Sequence, residues 1–105
     1  LRLDGFVSLY ASKEGELLTA PFMWEGGALY VNADAGDGEV LVEVVDAESQ
    51  TPLPGWSIGA CRPLRGDHLD GVITWEEGTA REYPARPVRL RFHLRGARLY
   101  AFWLQ

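Results

Sequence analysis

The segment Val88-Arg89-Leu90-Arg91-Phe92-His93-Leu94-Arg95 alternates apolar and polar residues without interruption. Alternation with a period of two is typical of a β-strand that has one buried face and one face in water. The residues expected to point into a core are Val88, Leu90, Phe92 and Leu94. Gly96-Ala97 then offers a tight turn, and residues 98–104 continue in strand-favouring types. We therefore expect a hairpin whose apolar face needs a second sheet to cover it.

Further strand-like segments precede this pair, separated by residues that favour turns. They are residues 6–11, 17–20, 22–24, 28–33, 39–45 and 72–75. The valine-rich segment 39–45 predicts a strand covered on both faces. Prolines and glycines punctuate residues 46–71, which predicts a long loop with at most a short strand at Trp56-Ser57-Ile58. The sequence thus predicts an all-β protein, an antiparallel two-sheet β-sandwich of the jelly-roll type.

Length and charge limit the class of protein further. A chain of 105 residues fits a single domain over 1–105, and its start at Leu1 rather than Met leads us to expect a segment of a longer protein. A net charge of −5 argues against a nucleic-acid partner. No apolar run approaches the roughly 20 residues of a membrane-spanning helix, so we expect no membrane partner. One local exception in charge is a basic patch, which we expect to pair with acids on neighbouring strands: Arg89, Arg91, Arg95 and Arg98.

Several short motifs follow one another in a recognisable order along almost the whole chain. They are RLDGFVSL (2–9), LTAPF (18–22), GALYVNA (27–33), VEVVD (42–46), PGWS (54–57), GD (66–67), VITW (72–75), PVRLRF (87–92) and LYAF (99–102). Together they resemble the C-terminal β-sandwich of bacterial glycosyl-hydrolase-like proteins whose main domain is a five-bladed β-propeller. Those proteins are related to the invertase and arabinanase group.

The resemblance implies a division of labour between two domains. Catalytic carboxylates of such enzymes lie in the propeller, so the resemblance implies no catalytic residue in this chain. The first hypothesis is therefore a non-catalytic accessory domain that packs on the propeller of the same protein and stabilises it. The alternative is a carbohydrate-binding module that takes an oligosaccharide, and the third hypothesis is an independent hydrolase.

Four tryptophans are the candidate sugar-stacking residues. Exposed aromatic rings stack on sugar rings, whereas the competing role is core packing, since one tryptophan buries about 150–250 Å². Trp75 and Trp103 lie in strand patterns and are expected in the core or at a domain contact. Trp56, in the proline-rich loop, is the candidate platform, with Arg65 and Asp67 as polar partners. For Trp56 too, packing is the alternative interpretation.

A calcium site is the candidate cofactor interaction. Asp67, His68 and Asp70 lie together in the long loop, and carboxylates with backbone carbonyls suit a structural calcium ion, with Asp67 and Asp70 as ligands. The alternative is that Asp67 stabilises a turn by accepting hydrogen bonds from nearby amides. No other cofactor is expected.

Two further candidates for a catalytic role have little support in the sequence. A glycosidase needs two acids that face each other across a sugar, but adjacent Glu76 and Glu77 in an extended segment would point to opposite faces. Cys61 is the single cysteine, so no internal disulfide forms, and a buried thiol is the expected state.

Overall fold

The computed structural model describes residues 4–11, 15–24, 27–75 and 86–104, and side chains are described from Gly15 onward. No helix occurs within these ranges. The strands, in chain order, are β1 (Asp4–Ala11), β2 (Gly15–Leu18), β3 (Phe22–Met23), β4 (Leu29–Asp34), β5 (Glu39–Asp46), β6 (Asp67–Ile73), β7 (Pro87–Arg95) and β8 (Ala97–Leu104).

The strands form two antiparallel sheets, which confirms the predicted β-sandwich. Sheet A has the strand order β1-β8-β4-β6. Sheet B is centred on β7, with β2 and β3 end to end along one side and β5 along the other. Thr19 bridges the gap between β2 and β3, because its N–H donates to the Leu90 carbonyl and its hydroxyl accepts from the Leu90 N–H, both at 3.0 Å.

The predicted hairpin of β7 and β8 is wrong. Strand β7 pairs with β2, β3 and β5 in sheet B, whereas β8 pairs with β1 and β4 in sheet A. Between them, Gly96 adopts a φ of 54°, a left-handed conformation that glycine tolerates best, and the chain passes from one sheet to the other. Both strands turn their apolar side chains to the same core, so the alternation pattern is satisfied without pairing of the two strands.

The apolar residues of β7 form the middle of the core, as predicted. Val88, Leu90, Phe92 and Leu94 are fully buried. Residues of sheet A cover them from the other side. Those that the structure buries completely or almost completely include Leu29, Val31, Ala33, Ala97 and Leu99. At about 25 cal/mol per Å² of apolar surface removed from water, this contact between sheets is the main stabilising term of the fold.

Strand β5 is covered on both faces, as its valine content predicted. Val40, Val42 and Val44 lie in the core, while Val45 is also fully buried and Glu43 is 6% exposed. The chain between β5 and β6 runs along the free edge of β5, where Val40 and Leu64 exchange backbone hydrogen bonds. Residues 57–60 form turns, so the short strand expected at Trp56-Ser57-Ile58 is wrong.

The predicted loop also ends earlier than expected, because β6 already begins at Asp67. Its first half is polar and Gly71 follows, features that sequence patterns associate with loops. It is nevertheless extended, because it lies at the edge of sheet A and pairs with β4 on one side. A strand with one partner and one wet face does not need a continuous apolar pattern.

Candidate functional site

Trp56 belongs to a buried tryptophan cluster, which we define as Trp24, Trp56 and Trp75. Ring centroids of Trp56 lie 5.1 Å from Trp24 and 5.0 Å from Trp75, and Trp24 and Trp75 are 6.1 Å apart. Trp56 is 7% exposed. Trp56 is therefore not the exposed sugar platform that was considered for it, and core packing, the competing interpretation, is confirmed. Burial of a tryptophan side chain removes about 150–250 Å² of surface from water, which favours the inward turn of the proline-rich loop.

The tryptophan cluster also completes the edge of β5. The indole Nε1 of Trp75 donates to the Val42 carbonyl at 3.0 Å, and the Val42 N–H donates to Cys61 Sγ at 3.4 Å. Two side chains thus take the place of a neighbouring strand at this residue. Burial raises the pKa of the Cys61 thiol to about 11, despite the opposing effect of the Val42 hydrogen bond. The predicted buried thiol is confirmed, and its protonated state does not suit a nucleophile.

Arg65 and Asp67 are exposed at the surface, whereas Trp56, with which they were considered as a site, is buried. The Arg65 guanidinium pairs with Glu39 at 3.0 Å. Asp67 faces Asp34 across β6 and β4. A hydrogen bond from one carboxyl to the other, together with the charge of Asp34, raises the pKa of Asp67 above its ordinary value.

The calcium hypothesis gains no support from the placement of its residues. Asp67, His68 and Asp70 lie in β6 rather than in a loop, so the turn role considered for Asp67 is wrong. Over the residues that the structure describes, no group of three or more His, Cys, Asp and Glu side chains is placed to hold a metal ion. Glu76 and Glu77 lie outside the described residues.

Arginines of β7 pair mainly with acids, as expected for the basic patch. Arg91 Nη1 lies 2.9 Å from Glu43 Oε1, and Arg95 Nη1 lies 3.7 Å from Glu39 Oε2. Arg89 differs, because it donates to the carbonyls of Ala47 and Thr19 instead. Arg89, Arg91 and Arg95 are therefore part of the architecture of sheet B, whereas Arg98 lies in β8 of sheet A, opposite Asp34.

A shallow groove of about 170 Å³ opens on the outer face of sheet B. Its centre is one cross-strand row, in which His93 of β7 lies between Glu16 of β2 and Leu41 of β5. Ile58 and Arg95 also line the groove. Below the groove, Glu43 is almost fully buried and lies 3.4 Å from His93 Nε2, while Glu16 lies 3.8 Å from His93 Nδ1.

A second surface, on the outer face of sheet A, is apolar at one end. Val72, Tyr30 and Trp103 face one another across β6, β4 and β8, and we call these three the aromatic row. The Tyr30 and Trp103 rings are nearly parallel, 12° apart, with centroids separated by 5.9 Å. Val72 is 44% exposed, and both rings are half-buried.

The same outer face becomes polar along the strands. Asn32 and Ala101 form the next cross-strand pair, and Asp34 lies between Asp67 and Arg98 at the far end. Sequence reasoning placed Trp103 at the core or at a domain contact but missed Tyr30 and Val72. The alternation of 28–33 held the signal, because Leu29, Val31 and Ala33 point inward and leave Tyr30 on the opposite face.

Comparison of the chain with models of protein families, with curated proteins and with solved structures finds no significant match. Within the described ranges, no helix is long and apolar enough to cross a membrane.

Proposed function

We propose that this chain is a non-catalytic accessory domain that packs its aromatic row against the catalytic β-propeller of a glycoside-hydrolase-like protein. The observation that carries the proposal is the aromatic row itself, in which two nearly parallel rings and an exposed valine lie side by side on a flat sheet face. The propeller is the expected occupant because the sequence motifs resemble those of sandwich domains attached to one.

The outer face of sheet A has the composition of a contact surface. Aromatic residues are enriched at the buried centres of interfaces, whereas charged residues lie at the rim. The aromatic row supplies such a centre, and the charged residues Asp34, Asp67 and Arg98 lie at the other end of the face. Ala101 and Asn32 form the cross-strand pair between the two ends.

The surroundings of four acidic side chains support a non-catalytic role. Glu43 is almost fully buried and bonded to Arg91 at 2.9 Å, which leaves it inaccessible to a substrate. Glu39 is shared between Arg65 and Arg95. Asp34 and Asp67 lie side by side on the adjacent strands β4 and β6 rather than across a cleft, whereas a glycosidase needs two carboxyl groups on opposite sides of the bond that it cleaves.

Binding between the separate domains tests the proposal. Residues 1–105 and the propeller domain of the parent protein would be produced as two polypeptides, and their affinity measured by calorimetry. Tyr30→Ser and Trp103→Ser are expected to weaken association at least about tenfold, since aromatic anchors carry much of the energy of an interface. Met23→Ser is the matched control, because Met23 is 47% exposed and lies in sheet B.

Three outcomes would contradict the docking proposal. They are no association of the two domains, equal association of the wild type and both aromatic variants, and a loss of affinity in Met23→Ser as large as in Trp103→Ser. The near-ultraviolet circular dichroism of the buried tryptophan cluster would check that each variant is folded.

Carbohydrate binding is the second candidate, and the half-exposed Tyr30–Trp103 pair is the observation that favours it. Sugar rings stack on such aromatic faces, and the Asn32 amide next to the pair could bond hydroxyl groups. Titration of the isolated domain with an oligosaccharide panel, followed by tryptophan fluorescence, separates the two functions. A response that Trp103→Ser removes supports sugar binding, whereas no response to any oligosaccharide argues against it.

A further inference from the structure

We propose that the groove on the outer face of sheet B binds a small neutral polyhydroxylated ligand, about the size of one pyranose ring. This site is separate from the aromatic row, because the two surfaces lie on opposite sheets of the sandwich. The proposed binding site therefore does not depend on the docking role.

The size of the groove limits the ligand. Its volume is about 170 Å³. Sites for drug-sized ligands have about 300–1,000 Å³, so the groove suits one small ring rather than an extended molecule. A flat apolar side of the ligand would lie on the aliphatic carbons of Leu41 and Ile58.

The charges of the groove favour a neutral ligand. Glu16 lies within 4 Å of both His93 and Arg91, at 3.8 and 3.9 Å, and Arg95 lies 3.7 Å from Glu39. A cationic ligand would compete with Arg91 for Glu16, and an anionic ligand would compete with Glu39 for Arg95. Glu16 and Arg95 are each already partly neutralised by an ion pair, so neither attracts a charged ligand with its full charge.

Hydroxyl groups avoid this competition. A carboxylate has about four lone-pair sites, so Glu16 can accept a hydroxyl proton while it remains close to Arg91. A hydroxyl oxygen can in turn accept from His93 or from the guanidinium of Arg95, both of which line the groove. Because the groove combines acceptors and donors with aliphatic carbons, a ligand with several hydroxyl groups and an apolar face is complementary to the site.

The probes for the test are single hexoses and pentoses, with acetate and ethylammonium as charged controls. Each would be titrated into the 15N-labelled chain, and the amide shifts of Gly15, His93 and Arg95 followed. At least one monosaccharide is expected to bind with a dissociation constant of about 1–10 mM, as befits a ligand of this size. Binding of acetate or ethylammonium at lower concentration than any sugar would overturn the neutral-ligand proposal.

Two variants locate the site. Glu16→Gln and Ile58→Ala are expected to weaken sugar binding at least about fivefold, because the first replaces a charged acceptor with a weaker neutral one and the second removes aliphatic carbons from the wall. Glu48→Gln is the matched control, an exposed acid outside the groove, and should bind as the wild type does. No sugar-dependent shift, or unchanged affinity in both groove variants, would refute the proposal. Trp103→Ser should leave this binding intact, which distinguishes it from sugar stacking on the aromatic row.

Discussion

The ring of Phe92 lies 4.9 Å from the ring of Phe102 at an angle of 44°, although their strands belong to different sheets. Tilted aromatic pairs at such distances are favourable. The chain between them turns at Gly96, so two strands that are neighbours in sequence face each other across the core instead of pairing. This contact joins the centre of sheet B to sheet A.

A double-mutant cycle measures that contact. Phe92→Leu and Phe102→Leu are each expected to lower the free energy of unfolding by about 1–2 kcal/mol, since each leaves part of the core unfilled. Their effects should not be additive, with a coupling energy of about 0.5–1.5 kcal/mol from the lost ring pair. Urea denaturation of the four proteins provides the measurement, and additive effects would show that the rings do not interact.

Trp75→Phe tests the completed edge of β5. The substitution keeps an aromatic ring but removes the Nε1 donor to the Val42 carbonyl. A buried carbonyl without its partner costs about 1–3 kcal/mol, so the free energy of unfolding should fall by that amount. Trp103→Phe, on the half-exposed aromatic row, is the control and should cost less. Equal losses in the two variants would contradict a specific role for the hydrogen bond.

The Cys61 thiol should be inert in the native protein. With a folded pKa of about 11 against an ordinary value of 9.0, almost no thiolate is present at pH 8. A disulfide reagent is expected to react with it only after denaturation. A raised folded pKa also means that its contribution to stability is complete below pH 9 and is lost as the pH rises through about 11. Rapid reaction at pH 8 without denaturant would contradict this burial.

Asp67→Asn should stabilise the protein at neutral pH. The neighbouring Asp34 raises the pKa of Asp67, so the pair contributes stability in acid and loses it as the pH rises through that raised pKa. Asparagine keeps a polar side chain without the charge. We expect similar melting temperatures near pH 3 and a higher one for the variant at pH 7.

Asp70→Asn is the control for this effect, because Asp70 lies in the same strand but is not the cross-strand partner of Asp34. It should not reproduce the gain that depends on pH. A lower melting temperature of Asp67→Asn at pH 7 would show that the two carboxyl groups do not repel each other.

Gly38 and Gly36 lie in the turn before β5, and each requires glycine for a different reason. A Cβ atom at Gly38 would lie 1.8 Å from the backbone oxygen of Arg95, so Gly38→Ala should cost on the order of 3 kcal/mol, as β5 and β7 must separate. Gly36 has a φ of 49° but open space around it, so Gly36→Ala should cost only about 1 kcal/mol of backbone strain. Thermal denaturation would compare them. If the two variants were equally stable, the close approach of Gly38 to β7 would be refuted.

Local alternation of apolar residues decided much of this fold. In β7 it identified Val88, Leu90, Phe92 and Leu94 as core residues, because a strand places successive side chains on opposite faces wherever it lies. The same rule identified Leu29, Val31 and Ala33 in β4, and the valines of β5. These inferences needed no knowledge of which strands are neighbours, and from them followed the need for two sheets.

Tertiary structure alone decided strand pairing and the surroundings of the polar residues. A glycine at position 96 is compatible with a hairpin and also with a crossover between sheets. The polar start of β6 resembles a loop in sequence, and its pairing with β4 makes it a strand. Trp56 and Asp67 depend on partners distant in sequence, Trp75 and Asp34, whose approach no local pattern encodes. A strand's faces follow from its own covalent geometry, whereas its neighbours follow from how all the apolar faces are buried together.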